Sequence, residues 1–279
     1  MHPRGPQAPG PPHAARGRLS GARTDPGRIR GAAHRRAGRR PLSPPRRGRG
    51  QPAQVAGGPV SGLVIAIDGV VGAGKTTTAR MVAGRLGYRH LDTGAMYRAV
   101  TVAATRRGIA AGHTASLASM LAALTIDLEP DGRVLLNGED VSDAIRRPEV
   151  TRAVGAYSDA PVVRKALVAQ QQRMGAAGGI VAEGRDMAAV VFPCAELKIS
   201  MVADLDERVE RRYRELQQKG MVITPEQVRV DIETRDREDA ARDYGVAGEG
   251  PEVTEIDTTD MTLEGQVDHI VALARQHGA

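Results

Sequence analysis

The chain has 279 residues, a net charge of +6, 2% aromatic side chains, no tryptophan and one cysteine, Cys194. One cysteine excludes an internal disulfide framework and fits a reducing cytoplasmic setting. No apolar run nears the roughly 20 residues that span a bilayer, and the first residues lack the apolar stretch of a secretory signal.

The charge is placed unevenly. Residues 1–60 carry 13 arginines and a single acid, Asp25, whereas residues 61–279 carry 26 basic and 32 acidic side chains. A mildly acidic body argues against a nucleic-acid-binding core. Val, Leu, Ile, Ala and Met must build the interior, which suits parallel strands covered by helices on both faces. Cys194, after an apolar run and Pro193, is expected to be a small buried side chain.

Residues 1–60 are rich in Arg, Pro, Gly and Ala, as in RRAGRRPLSPPRRGRG. With few large apolar side chains they read as a disordered basic leader, separate from a folded domain over 61–279. Three origins stay open for this leader. It is upstream sequence taken in through a misplaced start codon, in keeping with the GC-rich coding that 35 arginines to 4 lysines suggest. Or it is a solvated tail without function, or a polybasic arm for nucleic acid or anionic surfaces.

LVIAID reads as a buried strand ended by Gly69. The stretch IDGVVGAGKTTTAR then completes the pattern G-x-x-x-x-G-K-[ST] from Gly69 through Gly74, Lys75 and Thr76. Its glycines let successive backbone N–H groups converge on phosphate oxygens, and the loop feeds a helix N-terminus that favours anions. Gly69, Gly72, Ala73, Gly74, Lys75, Thr76 and Thr77 are the expected nucleotide contacts. Lys75 supplies a cation for the β/γ-phosphates and the Thr76 hydroxyl reaches Mg²⁺. Ala79, Val82 and Leu86 repeat at helical spacing, with Gly87 at the expected C-cap.

YRHLDTG reads as a second strand, with a helix starting after Asp92 or Thr93 that carries Arg98 in its first turns. The segment LTIDLEPDGRVLLNGEDV has two apolar pieces around Asp131-Gly132, a hairpin signal. GGIVAEGRD is a third core strand; ending it with Glu183, Arg185 and Asp186 wastes burial unless they meet a polar ligand. Glu183 is also placed to orient the water shell of Mg²⁺. ELKISMVA and EVTEIDTT read as the fourth and fifth strands. Alternation of strands and helices behind a phosphate loop indicates an α/β three-layer fold.

Between the last two strands, DLDERVERRYREL puts Arg208, Arg211 and Arg212 on one side of a helix. Thr224, Pro225 and Gln227 then mark a new helix start, with Arg235, Asp239 and Arg242 on one face. Each cluster alone also reads as a solvated salt-bridge face. Together they describe a second anion site, gripped by arginine forks, with Asp186 and Asp239 free to accept hydrogen bonds from sugar or base. A nucleoside monophosphate fits that composition.

With these segments in hand, residues 62–276 resemble the bacterial cytidylate kinases. IDGVVGAGKTTTAR, LDTGAMYR, NGEDVSDAIR, EGRDMAAVVFP, ERRYRELQQKG and RDREDAARD fall in that family's order and spacing. The resemblance implies a P-loop kinase fold with a five-stranded parallel sheet, a small lid near 205–222 and an enlarged monophosphate-binding insert near 117–165 holding the hairpin. It implies a cytoplasmic monomer of pyrimidine nucleotide metabolism that uses ATP and Mg²⁺ to phosphorylate CMP and dCMP. Arg98, Arg185 and Arg242 would hold the CMP phosphate, Arg235 and Asp239 the pentose, and Arg164 and Asp186 the cytosine with Thr93 close by. Lys75, Arg98, Arg185, Arg211 and Arg212 would stabilise the transferring phosphoryl group, with Arg208, Arg211 and Arg212 at the lid beside the ATP phosphates. One departure stands out: Gly155 occupies the place of a base-contacting serine, and Ser158 follows three residues on. Competing readings are a kinase for UMP, AMP or a small metabolite, and a nucleotide-dependent nucleic-acid switch that uses the leader as its arm.

Overall fold

The computed structural model describes residues 62–242 and 252–279, so the leader expected over 1–60 lies outside the described residues. The first apolar run is β1 (Val64–Gly69), and the phosphate loop after it opens α1 (Lys75–Leu86). Gly87 closes that helix in the left-handed region at φ 68°, as its C-cap position predicts. Next come β2 (Arg89–Asp92) and α2 (Thr93–Arg106), whose N-cap Asp92 accepts the Ala95 N–H. Past α3 (Thr114–Ala122) lie the short strands β3 (Ile126–Leu128), β4 (Val134–Leu136) and β5 (Glu139–Asp140). A 3₁₀ turn at Ala144–Arg146 leads into α4 (Pro148–Ser158) and α5 (Pro161–Gly175), both opened by proline. The order closes with β6 (Ile180–Glu183), a π-type turn at Met187–Val191, β7 (Leu197–Val202), α6 (Leu205–Gln218), α7 (Pro225–Ala241), β8 (Val253–Asp257) and α8 (Leu263–Gln276).

Five strands form one parallel sheet in the order β2–β6–β1–β7–β8, as the strand–helix alternation anticipates. Successive side chains of a strand point to opposite faces, and both faces are dry. From β1, Ile65 and Ile67 pack with Val82 of α1 and Ile270 of α8. Ala66, between them, points the other way into a core shared with Met96 and Val100 of α2 and Leu167 of α5. This gives three layers, helix–sheet–helix, and it brings the C-terminal ends of β1, β2 and β6 together at one edge.

The hairpin expected around Asp131-Gly132 is β3–β4, with Gly132 at φ 86°. A third strand, β5, extends it to an antiparallel sheet of three. Its inward side chains Ile126, Val134 and Leu136 join the α2-side core, so this small sheet packs onto the main body. The expected insert bounds, 117–165, fall inside α3 and α5, which run as unbroken helices from Thr114 and to Gly175.

The expected lid segment is α6 and the turn after it, and α7 completes a helical hairpin with it. Val209 and Leu216 of α6 meet Val228 and Ile232 of α7 in a small core of their own, which also receives Val71 of the phosphate loop. The capping box predicted at Thr224 and Gln227 is present in full. One expectation fails: Cys194 is exposed. It lies in the turn before β7, where the neighbouring Phe192 and Ala195 take the buried positions.

Candidate active site

The phosphate loop is shaped by glycines that no other residue replaces. Gly69 has φ 143°, and a Cβ there would lie 2.0 Å from the Met201 carbonyl oxygen. Gly74, at φ 92°, is the N-cap of α1, whose first turn carries no acid. The free N–H groups of that turn and the helix dipole therefore face the loop without a competing carboxylate. Lys75 Nζ donates to the carbonyls of Gly69 and Val70 at 2.8 and 2.7 Å. Burial pushes the Lys75 ammonium well below its ordinary pKa, and the Arg185 cation adds to this against Glu183, Asp68 and Asp239. Thr76, one residue on, donates its hydroxyl to Glu183 Oε2 at 3.0 Å.

Around this loop the structure gathers the cations that the sequence scatters over 145 positions between Arg98 and Arg242. Arg98, on α2, donates to Thr151 Oγ1 at 2.8 Å and to the Ile145 carbonyl at 3.4 Å, so α4 and the 3₁₀ turn before it aim its guanidinium. Arg185 bridges the loop and α7, donating to Gly69 O at 2.7 Å and pairing through Nε with Asp239 at 2.9 Å. Arg242 pairs with Asp239 at 3.2 Å and, across to α4, with Asp159 at 2.6 Å. Arg164 pairs with the buried Asp186, whose carboxyl is raised by burial although Arg164 pulls it down.

Electrostatics gives these groups a common meaning. The Arg98 guanidinium is pushed down first by burial and then by Arg235, with Arg212 and Arg146 adding to it. Arg235 is pushed down by burial, then by Arg185 and Arg212. Like charges held together in a partly desolvated place favour an anion between them.

The other predicted residues have the following partners. Arg208 is buried and bound to Val71 O, Ala203 O and Asp236, so it ties α6 to the phosphate loop and to α7. Arg211 donates to the carbonyls of Thr258 and Thr259 after β8, and pairs with Glu207. Of that trio, Arg212 is the one whose charge reaches Arg98 and Arg235; it also pairs with Glu215. Thr93 is buried and donates to the Glu183 carbonyl at 2.7 Å. At Gly155 an added Cβ would lie 3.1 Å from Arg242 Nη2, and Ser158 donates its hydroxyl to Gly155 O at 2.9 Å.

Four contributors are absent from the sequence reading. Thr151 and Arg146 flank Arg98, Asp159 holds Arg242, and Asp68 accepts from the N–H groups of Met187 and Ala188 at 2.8 Å each. An acid at the end of the apolar strand VIAIDG is a visible signal for Asp68, which fixes the turn carrying Arg185 and Asp186. Nothing local marks the others.

The oxygen set at Thr76 and Glu183 suits a hard cation such as Mg²⁺. Among the described residues no helix is long and apolar enough to cross a membrane.

A family model described as cytidylate kinase matches residues 65–276. A cytidylate kinase of Geobacter sulfurreducens is 41% identical over 218 residues, covering 77% of this chain and 94% of that protein. One from Salinibacter ruber is 44% identical over 217 residues, covering 75% of this chain and 95% of the relative. A bifunctional pantoate ligase/cytidylate kinase of Prochlorococcus marinus is 42% identical over 217 residues, 76% of this chain and 43% of that longer protein.

Proposed function

The chain belongs to the cytidylate kinase family, and from that premise we propose that its site moves the γ-phosphoryl group of ATP directly and in line onto CMP, giving CDP, with dCMP as a second acceptor. The observation that carries this reading is the crowd of cations beside the phosphate loop: Lys75, Arg98 and Arg235 are each lowered first by burial and then by neighbouring cations, Arg185 acting on Lys75 and Arg235, and Arg212 on Arg98 and Arg235. Two polyanions have to be held close there, and fixed cations remove most of their repulsion.

A phosphate monoester has a second pKa of about 6 and is mainly dianionic at pH 7, so the attacking oxygen needs no general base. The remaining work is positioning and charge stabilisation. Arg98, Arg185 and Arg242 grip the CMP phosphate with their planar forks. Arg235 and Asp239 hold the pentose, and the Arg164–Asp186 pair presents both a donor and an acceptor to the cytosine edge. Lys75 exchanges its loop carbonyls for the β/γ-phosphates as ATP enters, and Arg211 and Arg212 extend positive charge along the transferring group.

Thr76 and Glu183 would hold Mg²⁺, directly or through its water shell; when bound, that ion neutralises charge on the β- and γ-phosphates. Closing the α6–α7 hairpin over the nucleotides excludes water that would otherwise take the phosphoryl group. Equal amounts of ADP and CDP formed from ATP and CMP support the reading; ADP without CDP overturns it.

A further inference from the structure

Two buried polar atoms beside the phosphate loop have no hydrogen-bond partner among the described residues, and they face each other: Nε2 of His90 and Oε1 of Glu183, 3.5 Å apart. Their side chains are 18% and 6% exposed. The sheet explains the encounter. In the parallel pair β2–β6, Asp92 lies opposite Glu183, and His90 is two residues back on the same face. Leu91, between them, turns to the opposite face and enters the α2-side core. His90 is thereby directed to the side of the sheet that carries α1.

The other oxygen of the same carboxylate is already engaged. Glu183 Oε2 accepts from Thr76 Oγ1 at 3.0 Å, and Thr76 is the second residue of α1. His90, Glu183 and Thr76 therefore form a line that ends at the phosphate loop. A buried carboxylate held by one hydroxyl can still rotate, and its second oxygen is left without the partner that burial demands. An imidazole N–H needs to move only a few tenths of an ångström to reach hydrogen-bond distance. The donor required is a proton on Nε2 of the ring.

We propose that His90 is a positioning residue for phosphoryl transfer: its Nε2–H donates to Glu183 Oε1 and fixes the carboxylate plane. Oε2 then keeps the Thr76 proton, and a lone pair of the Thr76 oxygen is left pointing toward the phosphates and their Mg²⁺. His90 touches neither nucleotide. The inference rests on the kinase reading given above, because it assigns His90 to the cation end of that site. Outer partners that orient a metal-holding carboxylate typically shift metal affinity by about 10- to 100-fold.

The test uses ATP binding without CMP, read as the rise in thermal midpoint while free Mg²⁺ is titrated at fixed ATP. The wild type is compared with His90→Leu, which removes the donor, and His90→Gln, whose amide nitrogen restores a donor at the place of Nε2. In His90→Leu the Mg²⁺ concentration for half the shift should rise by about 10-fold. The shift with ATP alone should stay unchanged, and His90→Gln should return most of the Mg²⁺ dependence. Wild-type Mg²⁺ dependence in His90→Leu overturns the proposal, and so does an equal defect in both variants, which would mark a packing role. Should His90→Leu fail to fold, side-chain ¹⁵N resonances of the wild type decide. A proton on His90 Nε2 whose signal shifts in Glu183→Gln supports the proposal, and a proton on Nδ1 overturns it. Because CMP is left out, this outcome is independent of whether the wild type turns CMP over, which tests the kinase reading itself.

Discussion

Arg98 carries its charge at a place where burial and three neighbouring cations, Arg235, Arg212 and Arg146, all oppose it. Thr151 and the Ile145 carbonyl hold the guanidinium there, so the unfavourable arrangement is built in, and in the proposed function the acceptor's phosphate would relieve it. Truncating one member of a desolvated charged contact costs about 2–5 kcal/mol. Arg98→Ala should therefore lower kcat/KM for CMP by about 100-fold or more, while the thermal shift produced by ATP stays as in the wild type. Equal loss of ATP binding would place Arg98 in the fold and not in the acceptor site. Asp92 is raised from its ordinary 3.8 to about 6, by burial first and then by Glu183, against the Ala95 N–H it accepts. The folded state binds this proton more tightly than the unfolded chain does. The stabilisation is complete below about pH 4 and lost as pH rises through 6. Asn caps a helix as well as Asp does, so Asp92→Asn should gain stability relative to the wild type across that window and hold the gain above it. Urea unfolding at a series of pH values in the absence of nucleotide and Mg²⁺ measures this; a difference that does not change with pH contradicts it.

At the scale of elements, chemistry carried by a few adjacent residues was legible. Pro225 after Thr224 with Gln227 at the third position marks the start of α7 because a capping box closes within four residues. Gly87 and Asp131-Gly132 mark a helix end and a hairpin because they need left-handed backbone. Features that depend on a distant partner were not legible. The burial of Arg208 requires Val71 O and Asp236, which lie far from it in the chain, and the exposure of Cys194 follows from Phe192 and Ala195 winning the interior. The small β5 strand exists only against β4. The α6–α7 hairpin has the most direct consequence, since Val71 of the phosphate loop is part of its core with Ile232. Ile232→Ala should remove about 2–5 kcal/mol from that core. Hydrogen exchange should then accelerate across residues 205–241 and also at residues 70–74, with the β1 and β6 amides still protected. Faster exchange that leaves 70–74 untouched would show that the hairpin and the loop are not coupled.

For the whole molecule, the family match begins at residue 65 and ends at 276, and the chain covers 94% of the Geobacter sulfurreducens relative. A chain starting at Ser61 should therefore keep the kcat/KM of the full-length protein, and a loss on truncation would give the basic leader a role. The sheet order was legible as a class because apolar runs and helical repeats alternate along the chain, whereas the proposed acceptor site is assembled by folding. Arg98, Arg185 and the α7 pair Arg235 and Arg242 come from three separate segments, and each segment taken alone also reads as a solvated salt-bridge face. The measurement that bears most directly on that site is ADP release with Mg²⁺-ATP and CMP, dCMP, UMP or AMP supplied one at a time. Turnover should be highest with CMP, followed by dCMP, with UMP and AMP well below both. Turnover highest with AMP, or none with CMP, would contradict the account.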